Sequence, residues 1–458
     1  MMKKLALASV LLVPLIGCTI AGSDYEEPQV TVPTRFFDGS STELNEAARI
    51  AWWRALGDPV LDEIIAVGLG KNLDIRIALE RINAAAAGTR RTGINAQIDG
   101  EISGDLRRSR ATNGAITEDD AGSVNAAFVF DLFGGIRRGR EESLARLDAS
   151  RLDVGTVRLA YLADVVGSYV MARYYQNAAW ITRQSIASRR ETLNLVQRRF
   201  GVQEATSLED AQARSLLATA QASLPGLEAN YQANVFRIAT LINQPASAVM
   251  SRMNRGGAQP RPRGALEVGI PADLLRNRPD VRTAERNFAA AIASIGVAEA
   301  QLYPSIELLG NVTAGNGRSW AFGPSITIPL LNLPVRIANR DIARSRAREA
   351  ELVYRQEVLR AIEETQSALA FTRFQRRQAG SYGAATSAAR EVVDLSRASY
   401  ESGGATLIEI LDAERTLLSN RLELARATRD WASSWVQLQV SVGKGWLAGV
   451  QSVRVASK

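Results

Sequence analysis

The chain has 458 residues, a formal net charge of +7, 46% hydrophobic but only 6% aromatic residues, and a single cysteine. It contains no histidine, which excludes Ser-His-Asp and Cys-His nucleophile pairs and removes the commonest metal ligand and near-neutral general base. Basic and acidic residues are interspersed along helix-patterned segments, which reads as solvated faces and not a nucleic-acid groove; the length calls for two or three subdomains or an elongated fold.

Residues 1–17 read as a signal peptide: Lys3-Lys4, an apolar core from Leu5 to Ile16, and small residues before Cys18. The ending Leu15-Ile16-Gly17-Cys18 resembles the lipobox of bacterial lipoproteins, which makes Cys18 the lipidation site. A diacylglycerol and an acyl chain on that thiol would then form a stable anchor. Beyond the leader, no stretch is apolar and long enough for a transmembrane helix. Neither a Gly-x-Ser-x-Gly elbow nor a phosphate-binding loop occurs; Gly443-Lys444-Gly445 lacks the upstream spacing and the hydroxyl residue. The chain is therefore expected not to be an enzyme and to carry no metal or cofactor other than the lipid.

Next comes an internal repeat with an offset of about two hundred residues. Phe200-Gly201 through Leu208-Glu209 aligns with Tyr400-Glu401 through Ile408-Glu409, and Asp74-Ile75-Arg76 aligns with Asp280-Val281-Arg282. The first repeat covers 58–250 and starts with a helix at Asp58-Pro59, cap and first-turn proline. Two strands follow near 94–107 and 123–132, where Ile94, Ile98, Ile102 and Leu106 oppose Asp99, Glu101, Ser103 and Asp105. Period two with one acidic and amide-rich face suits a membrane strand lining water. A proline-free stretch predicts a long helix over 136–199, ended by a glycine cap at Gly201. A returning helix over 207–243 opens on the capping box Thr206-x-x-Glu209 and is expected to break at Leu224-Pro225-Gly226.

The second repeat covers 273–442 and has the same parts. Its strands lie near 305–313 and 319–330, its long helix over 336–399, and its returning helix over 407–441 after the box Thr406-x-x-Glu409. Four strands cannot close a barrel, whereas three copies supply twelve. The expected fold class is thus mainly α with a small transmembrane β portion: long antiparallel helical hairpins beside four strands per chain.

The residues carrying these elements are similar to those of TolC-like outer-membrane efflux proteins, in the lipoprotein branch of OprM and NodT type. The resemblance spans nearly the whole chain. It rests on Trp52-Trp53 with Gly57-Asp58-Pro59, on Asp131-Leu132-Phe133-Gly134, on Arg278-Pro279-Asp280-Val281 with Ala284-Glu285-Arg286, on Tyr303-Pro304-Ser305, and on Gly403 to Glu414. Asn332-Leu333-Pro334 departs from the Gly-rich turn of many relatives. The resemblance implies a homotrimer with a 12-stranded outer-membrane barrel and a 12-helix periplasmic tunnel. Residues 18–57 become an N-terminal anchor and equatorial segment, 251–272 an equatorial linker, and 443–458 an equatorial tail.

The implied function is the exit duct of a tripartite efflux system in the Gram-negative outer membrane, with a periplasmic adaptor and an inner-membrane pump of resistance-nodulation-division type as partners. The resemblance also places gate acids at Asp412 and Glu409, within an iris-like periplasmic closure. Gly201, Thr206, Gly403 and Thr406 become tip residues available to the adaptor. The rival reading is a lipid-anchored periplasmic adaptor, which needs lipoyl-like halves around one hairpin where this sequence has two hairpins and four amphipathic strands.

Overall fold

The structure, a computed structural model, describes residues 20–448 apart from 38, 40–42, 265 and 316. Cys18, and with it the lipidation site, lies outside the described residues. The chain divides into two compact units. One holds the N-terminal residues to Val30 with Leu79–Leu152 and Arg282–Glu357; the other holds Thr31–Ala78, Asp153–Val281 and the chain from Val358 onward.

The first unit contains a four-stranded antiparallel sheet in the order β1-β2-β3-β4: β1 Ile98–Arg110, β2 Ile116–Phe130, β3 Ser305–Gly315 and β4 Arg318–Thr327. The expected faces are realised in register. Ile102, Val124, Val312 and Trp320 form one cross-strand row, and Ser103, Ser123, Thr313 and Ser319 form the next row, on the opposite side of the pleat. Ser103 and Ser123 share a hydroxyl hydrogen bond of 2.8 Å, and Asn311 donates to Asn125. Ile102 is 82% exposed, Trp320 79% and Phe322 70%, so this part of the apolar face is left uncovered by the described residues.

The strand limits differ from the sequence reading. Gly93–Ala96 form a 3-10 turn, so β1 starts at Ile98 and not at 94. β2 starts seven residues before the expected 123, at Ile116, because polar pairs carry the hairpin outward. Arg108 bridges Glu118 at 3.1 Å, and Ser109 meets Thr117 at 2.7 Å. β4 stops at Thr327, short of 330.

The Asp131-Leu132-Phe133-Gly134 motif has a local duty. The Asp131 carboxylate accepts from the Ile136 N–H at 3.0 Å and the Arg137 N–H at 2.9 Å, satisfying free amides at the start of the helix after β2. That helix lies among nine in the described residues: α1 Pro59–Lys71, α2 Leu73–Arg90, α3 Gly135–Gly201, α4 Ser207–Leu241, α5 Ala246–Met253, α6 Pro271–Asn277, α7 Pro279–Ala300, α8 Leu333–Glu401 and α9 Leu407–Ser441. α3 has 67 residues and α8 has 69, roughly 100 Å each at 1.5 Å per residue. The departure at Asn332 is absorbed by the start of α8, where Asn332 O accepts from Arg336 N–H at 3.2 Å.

The second unit has an apolar core of Trp52, Trp53, Ile64, Ile65, Leu162, Tyr169, Ile238 and Trp435, drawn from α1, α3, α4, α9 and the segment before α1. Asp58 caps α1 through the Val60 N–H at 3.0 Å and accepts from the Tyr169 hydroxyl. Arg173, fully buried, donates to Tyr169 at 2.9 Å and to the carbonyls of Met253 and Gly256 at 3.1 and 2.9 Å. α4 runs unbroken through Pro225, against the expected break. Pro225 and Gln221 are both exposed, so the carbonyl that loses its donor faces water, and the turns on either side hold the axis.

Candidate functional site

In the second unit, the α3–α4 and α8–α9 turns are brought together. Val196, Ala213, Tyr400, Leu407, Ile410 and Leu411 form one buried cluster between them. Arg199 fastens the two turns. Its guanidinium lies 4.6 Å from the centre of the Tyr400 ring and donates to Tyr400 O at 3.0 Å.

Both turns end their long helix with paired 6→1 and 5→2 hydrogen bonds. Glu204 N–H reaches Arg199 O at 2.8 Å and Gln203 N–H reaches Phe200 O; Gly404 N–H reaches Ser399 O at 2.8 Å and Gly403 N–H reaches Tyr400 O. The left-handed position is Gly403 (φ 81°) in the second turn and Gln203 (φ 65°) in the first. Gly201, expected to be the cap, is instead the last residue of α3. The repeat alignment pairs it with Glu401, not with Gly403.

The remaining tip residues fall as follows. Thr206 N–H donates to Glu209 at 2.7 Å, and Glu209 N–H returns to the Thr206 hydroxyl at 3.3 Å. In the second turn, Thr406 N–H donates to Glu409 at 3.1 Å, so Glu409 is held as a helix cap. Asp412 is exposed and pairs with Arg415 at 2.9 Å, one helical turn along α9. The structure therefore groups Gly201, Thr206, Gly403, Thr406 and Glu409 at the paired turns and leaves Asp412 on the open face of α9.

Sequence reasoning missed Glu414, which is only 5% exposed. Its Oε1 accepts from Thr192 at 2.8 Å, from Arg397 at 3.0 Å and from Ser188 at 3.1 Å, joining α9 to both long helices. Its Oε2 is buried and has no hydrogen-bond partner among the described residues. Arg189, also buried, donates to Leu216 O at 3.0 Å, and burial lowers the proton affinity of its guanidinium, partly offset by Glu414. One signal was available: Glu414 stands three residues after Leu411 and four before Leu418, on the apolar stripe of its helix. Among the described residues, no group of His, Cys, Asp and Glu has metal-binding geometry.

Comparison with known proteins agrees with this geometry. The family profile described as "Outer membrane efflux protein" matches residues 68–244 and 270–444. Nodulation protein T of Rhizobium leguminosarum bv. viciae is 35% identical over 474 aligned residues, covering 100% of this chain and 97% of that protein. Among solved structures, the outer-membrane channel OprN superposes with a TM-score of 0.83 at 28% identity, over 93% of this chain and 99% of that one. The open state of the Neisseria gonorrhoeae MtrE outer membrane channel gives 0.79 at 25% identity, over 94% and 99%. By its two matched repeats and its full-length relatives, the chain belongs to the outer membrane efflux protein family.

Proposed function

We propose that three copies of this chain form the outer-membrane exit duct of a tripartite efflux system, passing small molecules from a periplasmic adaptor and an energised inner-membrane pump to the cell exterior. One observation carries the reading: the sheet has an apolar face and a polar face, both exposed, and among the described residues its first and last strands each leave an edge unpaired. Water does not tolerate such a face, nor does a sheet leave such edges open, unless lipid covers one and neighbouring strands pair with the other. Twelve strands from three chains meet both needs and turn the Ser, Asn and acidic face toward a wet lumen. The adaptor alternative has no comparable use for this sheet.

The paired turns form the periplasmic gate in this reading. Three exposed copies of Asp412 make an acidic ring that attracts cations and repels anions. Glu409, occupied by its cap, is the lesser contributor. Opening requires an iris-like rotation of the second hairpin, which strains the Glu414–Arg397 joint. Gly201, Thr206, Gly403 and Thr406 are where an adaptor docks, and Cys18, diacylated, anchors each copy to lipid.

Two measurements test the proposal. Unheated outer-membrane extract should run as a trimer, far above the 49.6 kDa chain, and a monomeric, salt-extractable species would refute the duct. In planar bilayers, Asp412→Asn should raise conductance and weaken cation preference; unchanged currents would remove Asp412 from the gate.

A further inference from the structure

We propose that the cleft between the start of α1 and the segment after α5 binds a small polycarboxylate, held chiefly by Arg261 and Arg263. The cleft belongs wholly to the second unit and encloses about 750 Å³, within the range of small-molecule sites.

Residues 255–263 read Arg-Gly-Gly-Ala-Gln-Pro-Arg-Pro-Arg and form no helix or strand. Pro260 and Pro262 are buried, whereas Arg261 and Arg263 are exposed. The alternation is that of an extended backbone with one side on the core. Each proline fixes its own φ, so the two arginines stand on a backbone that is already stiff. Gln259 ties the segment down, accepting from Asn177 on α3 at 3.0 Å and donating to Ala425 O on α9 at 2.5 Å. The buried Arg173 holds its other end through Gly256 O at 2.9 Å. Little backbone freedom is left to lose when a ligand arrives.

The balance of charge in the cleft is positive. Asp58 and Glu63 are the carboxylates among its described lining residues, and both are already engaged. Asp58 caps α1 and lies 3.8 Å from Arg173. Glu63 bridges Arg252 at 2.8 Å and Arg255 at 2.6 Å. Arg261 and Arg263 have no hydrogen-bond or ion-pair partner among the described residues, so their donors are unspent. Gly57 makes room for one of them: at φ 66° it lacks a Cβ that would stand 3.0 Å from Arg263 Nη1.

The chemistry favours carboxylate over phosphate. Phosphate sites draw on main-chain N–H groups and helix N-termini. Here Asp58 closes the N-terminus of α1, and the N–H groups of Arg255 and Gly256 are bonded to Arg252 O and Met253 O. What remains is planar guanidinium, whose paired N–H groups match a planar carboxylate. Two such forks call for at least two carboxylates on one ligand, either a free solute or a branch of the cell-wall polymer.

The test uses the full chain purified from the outer membrane in detergent. Citrate, titrated calorimetrically at low salt, should bind, and Arg261→Gln and Arg263→Gln should each weaken it about ten-fold. Arg263→Lys keeps the charge but loses the fork, and should also weaken binding. Arg146→Gln, an equal loss of charge in the first unit, should not. Circular dichroism checks that each variant is folded. A native chain that binds no citrate, or glutamine variants that bind it as the native chain does, overturn the site. Pyrophosphate binding more tightly than citrate overturns the carboxylate assignment. Cosedimentation with cell-wall sacculi, abolished by amidating their carboxylates, assigns the polymer as ligand; citrate binding without cosedimentation assigns a free solute. Single-channel recording of the native chain reports the duct separately, so failure of the site leaves that reading standing.

Discussion

At Gln203 the chain places a long polar side chain where the backbone is left-handed, the conformation that its counterpart Gly403 adopts freely. The cost for an L-residue is about 1–2 kcal/mol, met here by the two hydrogen bonds that close the turn. Gln203→Gly should therefore slow amide exchange at residues 203 and 204 by about five-fold, matching roughly 1 kcal/mol. Gly403→Ala should do the reverse.

Lys444 is a second residue under tension. It is buried, its ammonium donates to Glu267 O at 2.8 Å and to Gln439 at 3.0 Å, and burial pulls its pKa down to about 8. The unfolded chain keeps that proton up to about pH 10.4. Between these limits the unfolded state binds more protons, so stability should rise with pH from about 8 to 10.4, by up to about 3 kcal/mol, and stay flat below. Urea titrations across that range check it, and Lys444→Met should abolish the slope. The capping boxes were legible from Thr-x-x-Glu spacing alone. The left-handed residue was not, because Gly201 drew the assignment two positions too early.

Among the elements, α9 depends on an acid that periodicity treats as an interruption. The donors to Glu414 on α3 lie more than two hundred residues away in sequence, so no local pattern announces them. Removing one partner of a buried charge cluster strands the others, at about 3–5 kcal/mol. Glu414→Ala should loosen the first turns of α9, read as faster exchange there and larger single-channel currents. Glu414→Gln, which keeps an acceptor for Thr192, should lose less. A double-mutant cycle with Arg397→Ala should return coupling, since the two side chains touch. Pro225 gives the converse lesson. Its ring signalled a break, yet an exposed face on a 35-residue helix absorbs one missing bond.

Over the whole molecule, the sheet was legible because period two survives in every strand. What escaped was the outward extension of β2, where Glu118, Asp119 and Asp120 read as loop but pair with Arg108, Arg107 and Leu106. The two faces should respond differently to charge. Ile102→Arg on the lipid side should cost about 2–4 kcal/mol per copy at mid-membrane and deplete the heat-modifiable trimer. Asn311→Asp, on the watery side, should leave assembly intact and shift ion preference toward cations.

The unpaired edges of β1 and β4 reach further, into inheritance. Under three-copy closure, no sheet is finished without strands from its neighbours, so damaged and sound chains made together share the same pores. Equal synthesis of both leaves only about one assembly in eight wholly sound. A lesion confined to an edge strand should thus behave as dominant, eroding efflux even in cells that retain an intact gene.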